Sequence, residues 1–125
     1  MTAATASEPR VLAGSWAVLA SERVLHVRLA PDPNGRPREA IVVLDDHEQA
    51  RAYLNLCRHL PIPLDAGSRK FLVQGEIQCA THGARYRRDD GYCVSGPCRG
   101  TSLHALPVEI SASLVFVVDV ATPSR

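Results

Sequence analysis

No run of apolar residues in this sequence approaches the roughly 20 needed to cross a bilayer as a helix, so a membrane-spanning helix is not expected. Excess charge of one sign is missing too. The formal net charge is +1, which gives no global field to recruit nucleic acid or a membrane surface. Lysine is nearly absent: Lys70 is the one Lys among 14 basic residues, a bias read as genome composition rather than surface ion pairing. The chain has no internal repeat, no low-complexity tract and no long 3.6-residue periodicity, which leaves neither a repeat architecture nor a long-helix fold to expect. No export signal is expected either. Residues 11–20 are apolar enough to resemble a short signal core, but Gly14 and Ser15 break the run, and Glu8 offsets Arg10, the one basic residue ahead of it. The sole Arg-Arg pair, Arg87-Arg88, lies deep in the chain, so no twin-arginine signal is read either. The expected location is cytoplasmic, where four Cys are more readily metal ligands than disulfides.

What is present suits one small domain. The sequence has 125 residues and 46% hydrophobic content, enough for a single core, and a domain of this size gains from a metal staple. Residues 1–10 are small and polar and read as a flexible N-terminal tail, 11–120 as one domain, and 121–125 as a C-terminal tail. Residues 23–29 alternate apolar and polar side chains, as a half-buried strand does, and 40–44 form a β-branched run suited to a buried strand. Residues 50–56 alternate again, although 46–53 also allow two helical turns. Turns are expected at 31–37, with three Pro and an Asn-Gly, and at Asp45-Asp46-His47. The three runs predict an antiparallel meander. Residues 57–100 hold all four Cys with Pro61, Pro63 and Pro97 and read as loop-rich, with short strands at 71–73, 76–78 and 84–87. Strands are expected again at 103–110 and 114–120. The predicted fold is all-β: a base built from both chain ends, carrying an inserted loop-rich unit.

Two clusters in that unit carry chemistry: Cys57-Arg58-His59-Leu60 and Cys79-Ala80-Thr81-His82-Gly83, with nineteen residues between His59 and Cys79. Each offers one thiolate and one imidazole. Structural zinc sites with two Cys and two His usually pair like with like at short spacing. Mixed pairs are compatible with zinc but not typical of it. A binuclear iron site explains them better, with Cys57 and Cys79 on one iron and His59 and His82 on the other, each loop reaching both ends. Replacing two thiolates by neutral imidazoles raises the reduction potential.

The pattern Cys-x-His, a gap, then Cys-x-x-His-Gly resembles the Rieske iron–sulfur domain. The similarity extends beyond the ligands. Tyr53 to His59 looks like the strand entering the first cluster loop, Pro63-Leu64-Asp65 like its closure, and Ile77 to Tyr86 like the second loop. Asp90-Gly91 resembles the following turn, and Ser95-Gly96-Pro97-Cys98 the proline loop that covers the cluster. The resemblance spans roughly residues 40–110. It departs in the long gap, whose extra length is assigned to residues 65–70, and at Ala80, where the family usually has Pro. It implies a Rieske-like antiparallel β-sandwich base with a cluster-binding subdomain at about 57–100, and one [2Fe–2S] cluster per chain. High-potential members carry a disulfide between the loops. The matching positions here are Ile62 and Thr81, so that bridge is not expected. Cys93 and Cys98 read as buried or half-buried thiols, with a Cys93–Cys98 disulfide or a redox role as the alternative.

The resemblance also implies a second shell of Tyr86, Gly83 and Pro97. Relatives of high potential place a Ser and a Tyr two and four residues after the second His. Here these positions are Ala84 and Tyr86. With one hydroxyl of the two, the potential is expected in the lower half of the family range of about −150 to +300 mV. Tyr86 could instead be a core aromatic bonded to backbone. Arg58, Arg85, Arg87, Arg88 and Arg99, set against Asp89 and Asp90, form a candidate docking rim for an acidic redox partner, or a solvated strand face. The implied function is one-electron transfer between a reductase and an oxygenase or other terminal enzyme. No catalytic residue is expected: an oxygenase needs a further iron site of two His and a carboxylate, and no room for that domain is expected after residue 110. Alternatives are a Rieske subunit of a multi-chain oxidoreductase, or a non-redox interaction or sensor module. No nucleic acid or membrane partner is expected.

Overall fold

A computed structural model describes residues 9–55, 72–73, 76–78, 84–96 and 99–119. Among them are eleven strands in three antiparallel sheets and one short helix. The central sheet is the meander β2 (Val24–Leu29), β3 (Arg38–Leu44) and β4 (Ala50–Leu54), with the short β9 (Ala105–Leu106) beside β4. The register runs Val24↔Val43 to Leu29↔Arg38 and Ala40↔Leu54 to Leu44↔Ala50. β3 is buried on both faces, which is why it reads as a continuous apolar run rather than an alternation. Its Ala40, Val42 and Leu44 enter one core with Leu25, Val27, Leu54, Val115 and Val117. Its Ile41 and Val43 enter a second core with Tyr53, Ile77, Tyr86 and Leu103.

The first core is closed by a sheet from the two chain ends, in the order β1 (Arg10–Ser15), β11 (Leu114–Val118), β10 (Val108–Ser111). These two sheets form the sandwich base. The second core is closed by the sheet β5 (Leu72–Val73), β6 (Glu76–Gln78), β7 (Arg85–Tyr86), β8 (Cys93–Ser95). The protein is therefore layered, with the inserted unit on the outer face of the central sheet.

Three local outcomes refine the sequence reading. The two-turn helix allowed over 46–53 does not form. Asp45 is fully buried, and its Oδ1 accepts from the His47 and Gln49 amides at 2.8 and 3.0 Å, which fixes a turn and sends residues 50–54 into the ladder. A helix does form where none was read: α1 (Trp16–Glu22). Ser15, which interrupts the apolar run 11–20, is its N-cap, with Oγ accepting from the Val18 amide at 3.1 Å. At two turns the helix is too short to show a periodicity. The strand expected over 103–110 is split at Pro107 into β9 and β10.

Candidate metal centre

The ligand clusters sit on connections whose ends are fixed by described strands. Cys57, His59, Cys79 and His82 themselves, with Arg58, Gly83 and Pro97, lie outside the described residues. Among the described residues no group of His, Cys, Asp or Glu could hold a metal ion.

β4 leads toward Cys57. Its last turnings are held on both sides: the Leu54 amide donates to the His104 carbonyl at 2.9 Å and the Asn55 amide to the Glu39 carbonyl at 2.8 Å. The buried Asn55 side chain also donates, through Nδ2, to Glu39 Oε1 at 2.8 Å. The chain is thus pinned to within two residues of the first Cys. Cys79 directly follows β6 and His82 precedes β7, and these strands pair as Gln78↔Arg85 and Ile77↔Tyr86. The second cluster therefore lies in the connection that closes one hairpin. β8 pairs Ser95 with Arg85, and Gly96 follows it at φ +97°. A Cβ on Gly96 would stand 2.6 Å from Ala84 Cα, so only glycine lets the chain entering Pro97 pass against the end of that hairpin. The chemistry of the donor set, two thiolates and two imidazoles on connections that leave from fixed strand ends, fits a binuclear iron group.

Around this centre, Ala84 is fully buried and offers no hydroxyl. Tyr86 is fully buried in the second core beside Ile77 and Cys93. Cys93 is a buried thiol outside any disulfide, and its Sγ donates to the Ser95 carbonyl at 3.2 Å. Cys98 lies outside the described residues.

The structure also reveals residues with no motif to announce them. Tyr53, on β4, is buried, and its hydroxyl donates to the Arg88 carbonyl at 2.7 Å. Burial pushes the phenol well above its ordinary pKa and keeps it a donor. The Arg88 guanidinium donates to the Leu44 carbonyl at 2.7 Å and pairs with Asp46. Arg51 Nε meets the Asp45 carboxylate at 2.9 Å. The turn at Asp45 had a sequence signal; these long-range pairings had none.

The candidate docking arginines are mostly engaged. Arg85 pairs with Glu76 at 3.5 Å. Arg87 pairs with Asp90 at 2.6 Å and lies 4.9 Å from the centre of the Tyr92 ring. The Arg87 hydrogen bond and the Tyr92 amide hold the Asp90 carboxyl below its usual range. Arg99 is exposed.

A layered β-protein whose two Cys–His clusters fall on the connections that follow β4 and β6 fits the class of loop-bound iron–sulfur proteins. The family model for the Rieske [2Fe–2S] domain matches residues 15–115, and the chain belongs to that family. Its cofactor is a Rieske-type [2Fe–2S] cluster, and it is a Rieske-type electron carrier. No curated protein matches the sequence.

Among solved structures, the ferredoxin of carbazole 1,9a-dioxygenase from Nocardioides aromaticivorans IC177 is 27% identical, with 86% of this chain and 95% of that one covered and a TM-score of 0.60. The plasma membrane Rieske protein PetC3 from Synechocystis PCC 6803 is 23% identical over 86% and 97% of the two chains, with a TM-score of 0.63. The terminal oxygenase of carbazole 1,9a-dioxygenase from Novosphingobium sp. KA1 shares the fold at 22% identity and a TM-score of 0.65, over 93% of this chain. The protein spans 31% of that oxygenase's length.

Proposed function

We propose that the protein is a ferredoxin-like carrier that passes single electrons from a reductase to an oxygenase or other terminal enzyme. The observation that carries this reading is the likeness to a dioxygenase ferredoxin, 27% identical with 95% of that chain covered. Cys57 and Cys79 would hold one iron and His59 and His82 the other. The cluster supplies one-electron chemistry when bound. Neutral imidazoles favour its reduced state over an all-thiolate set, and a hydroxyl donated by Tyr86 would favour it further. Ala84 contributes no such bond. Pro97 and Gly83 would shield the centre from water.

The domain is taken as residues 11–120, with its cluster-binding part at about 57–100 and tails at 1–10 and 121–125. An acidic partner would approach along Arg58, Arg85, Arg87, Arg88 and Arg99. The ion pairs of Arg85, Arg87 and Arg88 reduce the field of this rim, on which Arg87 and Arg99 are exposed. A cytoplasmic site of action is part of the proposal. Among the described residues no helix is long and apolar enough to cross a membrane.

The test is iron and acid-labile sulfide analysis of the purified protein with its visible spectrum. Two iron and two sulfide per chain and a red-brown colour are expected; stoichiometric zinc would overturn the reading. A monomer that cycles with a reductase and reduces a soluble acceptor supports the carrier. Stoichiometric co-purification with a large oxygenase chain would replace it by a subunit role.

A further inference from the structure

We propose that Tyr53 and Arg88 form a latch that sets the position of one ligand-bearing connection relative to the other, making both of them positioning residues for the cluster. The inference rests on the reading that Cys57, His59, Cys79 and His82 hold that cluster.

Each arm leaves from a strand that is held in place. β4 is held by its neighbours up to Asn55, and the second arm closes a paired hairpin. What a binuclear centre additionally demands is that the arms stand at a fixed offset, because each iron draws one ligand from each. Tyr53 lies four residues before Cys57 on the first arm, and Arg88 lies in the turn directly after β7 on the second. The 2.7 Å bond from the Tyr53 hydroxyl to the Arg88 carbonyl therefore joins the two arms through a buried, protonated donor.

The turn is shaped to receive the ring. Gly91 has φ +74°, and a Cβ there would stand 2.8 Å from Tyr53 Cε1. Any other residue would push the turn off the ring. The Arg88 side chain then reaches back to the central sheet, where it meets the Leu44 carbonyl and Asp46. The Leu103 amide, donating to the Gly91 carbonyl at 2.9 Å, completes the seating. One turn is thus gripped by its backbone from β4 and by its side chain from the end of β3. A tyrosine needed for packing alone would lose nothing when replaced by phenylalanine.

The experiment compares the loaded protein with its Tyr53→Phe, Arg88→Gln and Val115→Ala variants. Val115 is buried in the other core, so its truncation lowers stability without touching the latch. Four readouts are taken: iron and sulfide content, the electron paramagnetic resonance g values of the reduced cluster, the rate of cluster loss to a chelator, and the melting temperature. Tyr53→Phe is expected to shift the g values and to speed cluster loss about fivefold, the factor equivalent to one hydrogen bond. Val115→Ala should melt earlier with unchanged g values. If Tyr53→Phe does not fold, Arg88→Gln reports the same shift through the guanidinium arm. Unchanged g values in the folded latch variants, with cluster loss no faster than in Val115→Ala, would overturn the latch alone. Absence of iron and sulfide from the unaltered protein would overturn the cluster reading and the latch together.

Discussion

Tyr86 and Asp45 show how much one buried polar side chain can govern here. Tyr86 is sealed in the second core, on the strand that leaves the second ligand connection. If its hydroxyl serves the cluster, Tyr86→Phe lowers the reduction potential by about 40 mV, the one-electron equivalent of a hydrogen bond of about 1 kcal/mol. Redox titration with no downward shift would remove that role and leave a packing residue. Asp45 acts on stability instead. Burial alone would raise its pKa, but the Gln49 and His47 amides and the Arg51 guanidinium outweigh burial and lower it. A carboxylate whose pKa is lower folded than unfolded stabilises fully above the unfolded value, and that stability fades as pH falls through the folded one. Asp45→Asn should therefore cost about 2 kcal/mol at neutral pH. The gap between variant and parent, followed by denaturant midpoints, should close below about pH 4.

Among the elements, the β10–β11 hairpin is built against its own sequence. Its two turn residues, Ala112 and Ser113, both have positive φ, 51° and 65°, a conformation that favours Asn-Gly. The strain is accepted because the Ser113 carbonyl receives the Trp16 amide at 2.9 Å and so seats the start of α1. Replacing Ala112 by Asn and Ser113 by Gly should raise unfolding free energy by about 1 kcal/mol, read as a higher denaturant midpoint at unchanged slope. The strands of the meander were legible because β2 and β4 lie in alternating stretches and β3 is a continuous β-branched apolar run. α1 was not, because a capped helix of two turns leaves only Ser15 as a signal.

For the whole molecule, the layering divides the work. The base supplies its own core between two sheets, whereas the inserted unit leans on the outer face of the central sheet through Ile41, Val43 and Tyr53. The stability of that unit should consequently depend on the metal. Cys79→Ser is expected to lose the cluster and to melt well below the loaded parent, and calorimetry showing an unchanged transition would deny the metal a structural part. His82→Cys should keep a cluster at best in altered form and lower its potential. The docking proposal belongs to this scale too. Electron transfer to an acidic partner should slow with ionic strength, and Arg99→Glu should slow it further at low salt.

The sequence by itself determined the family, the kind of cofactor and the meander, because mixed Cys–His spacing and apolar patterning are local properties that a linear chain displays. Only the tertiary structure decided which core each residue of β3 serves and that Gly96 lies against Ala84. It alone placed the Tyr53 hydroxyl on the Arg88 carbonyl. Those are contacts between residues far apart in the chain, set by packing and hydrogen-bond satisfaction, and no spacing rule encodes them.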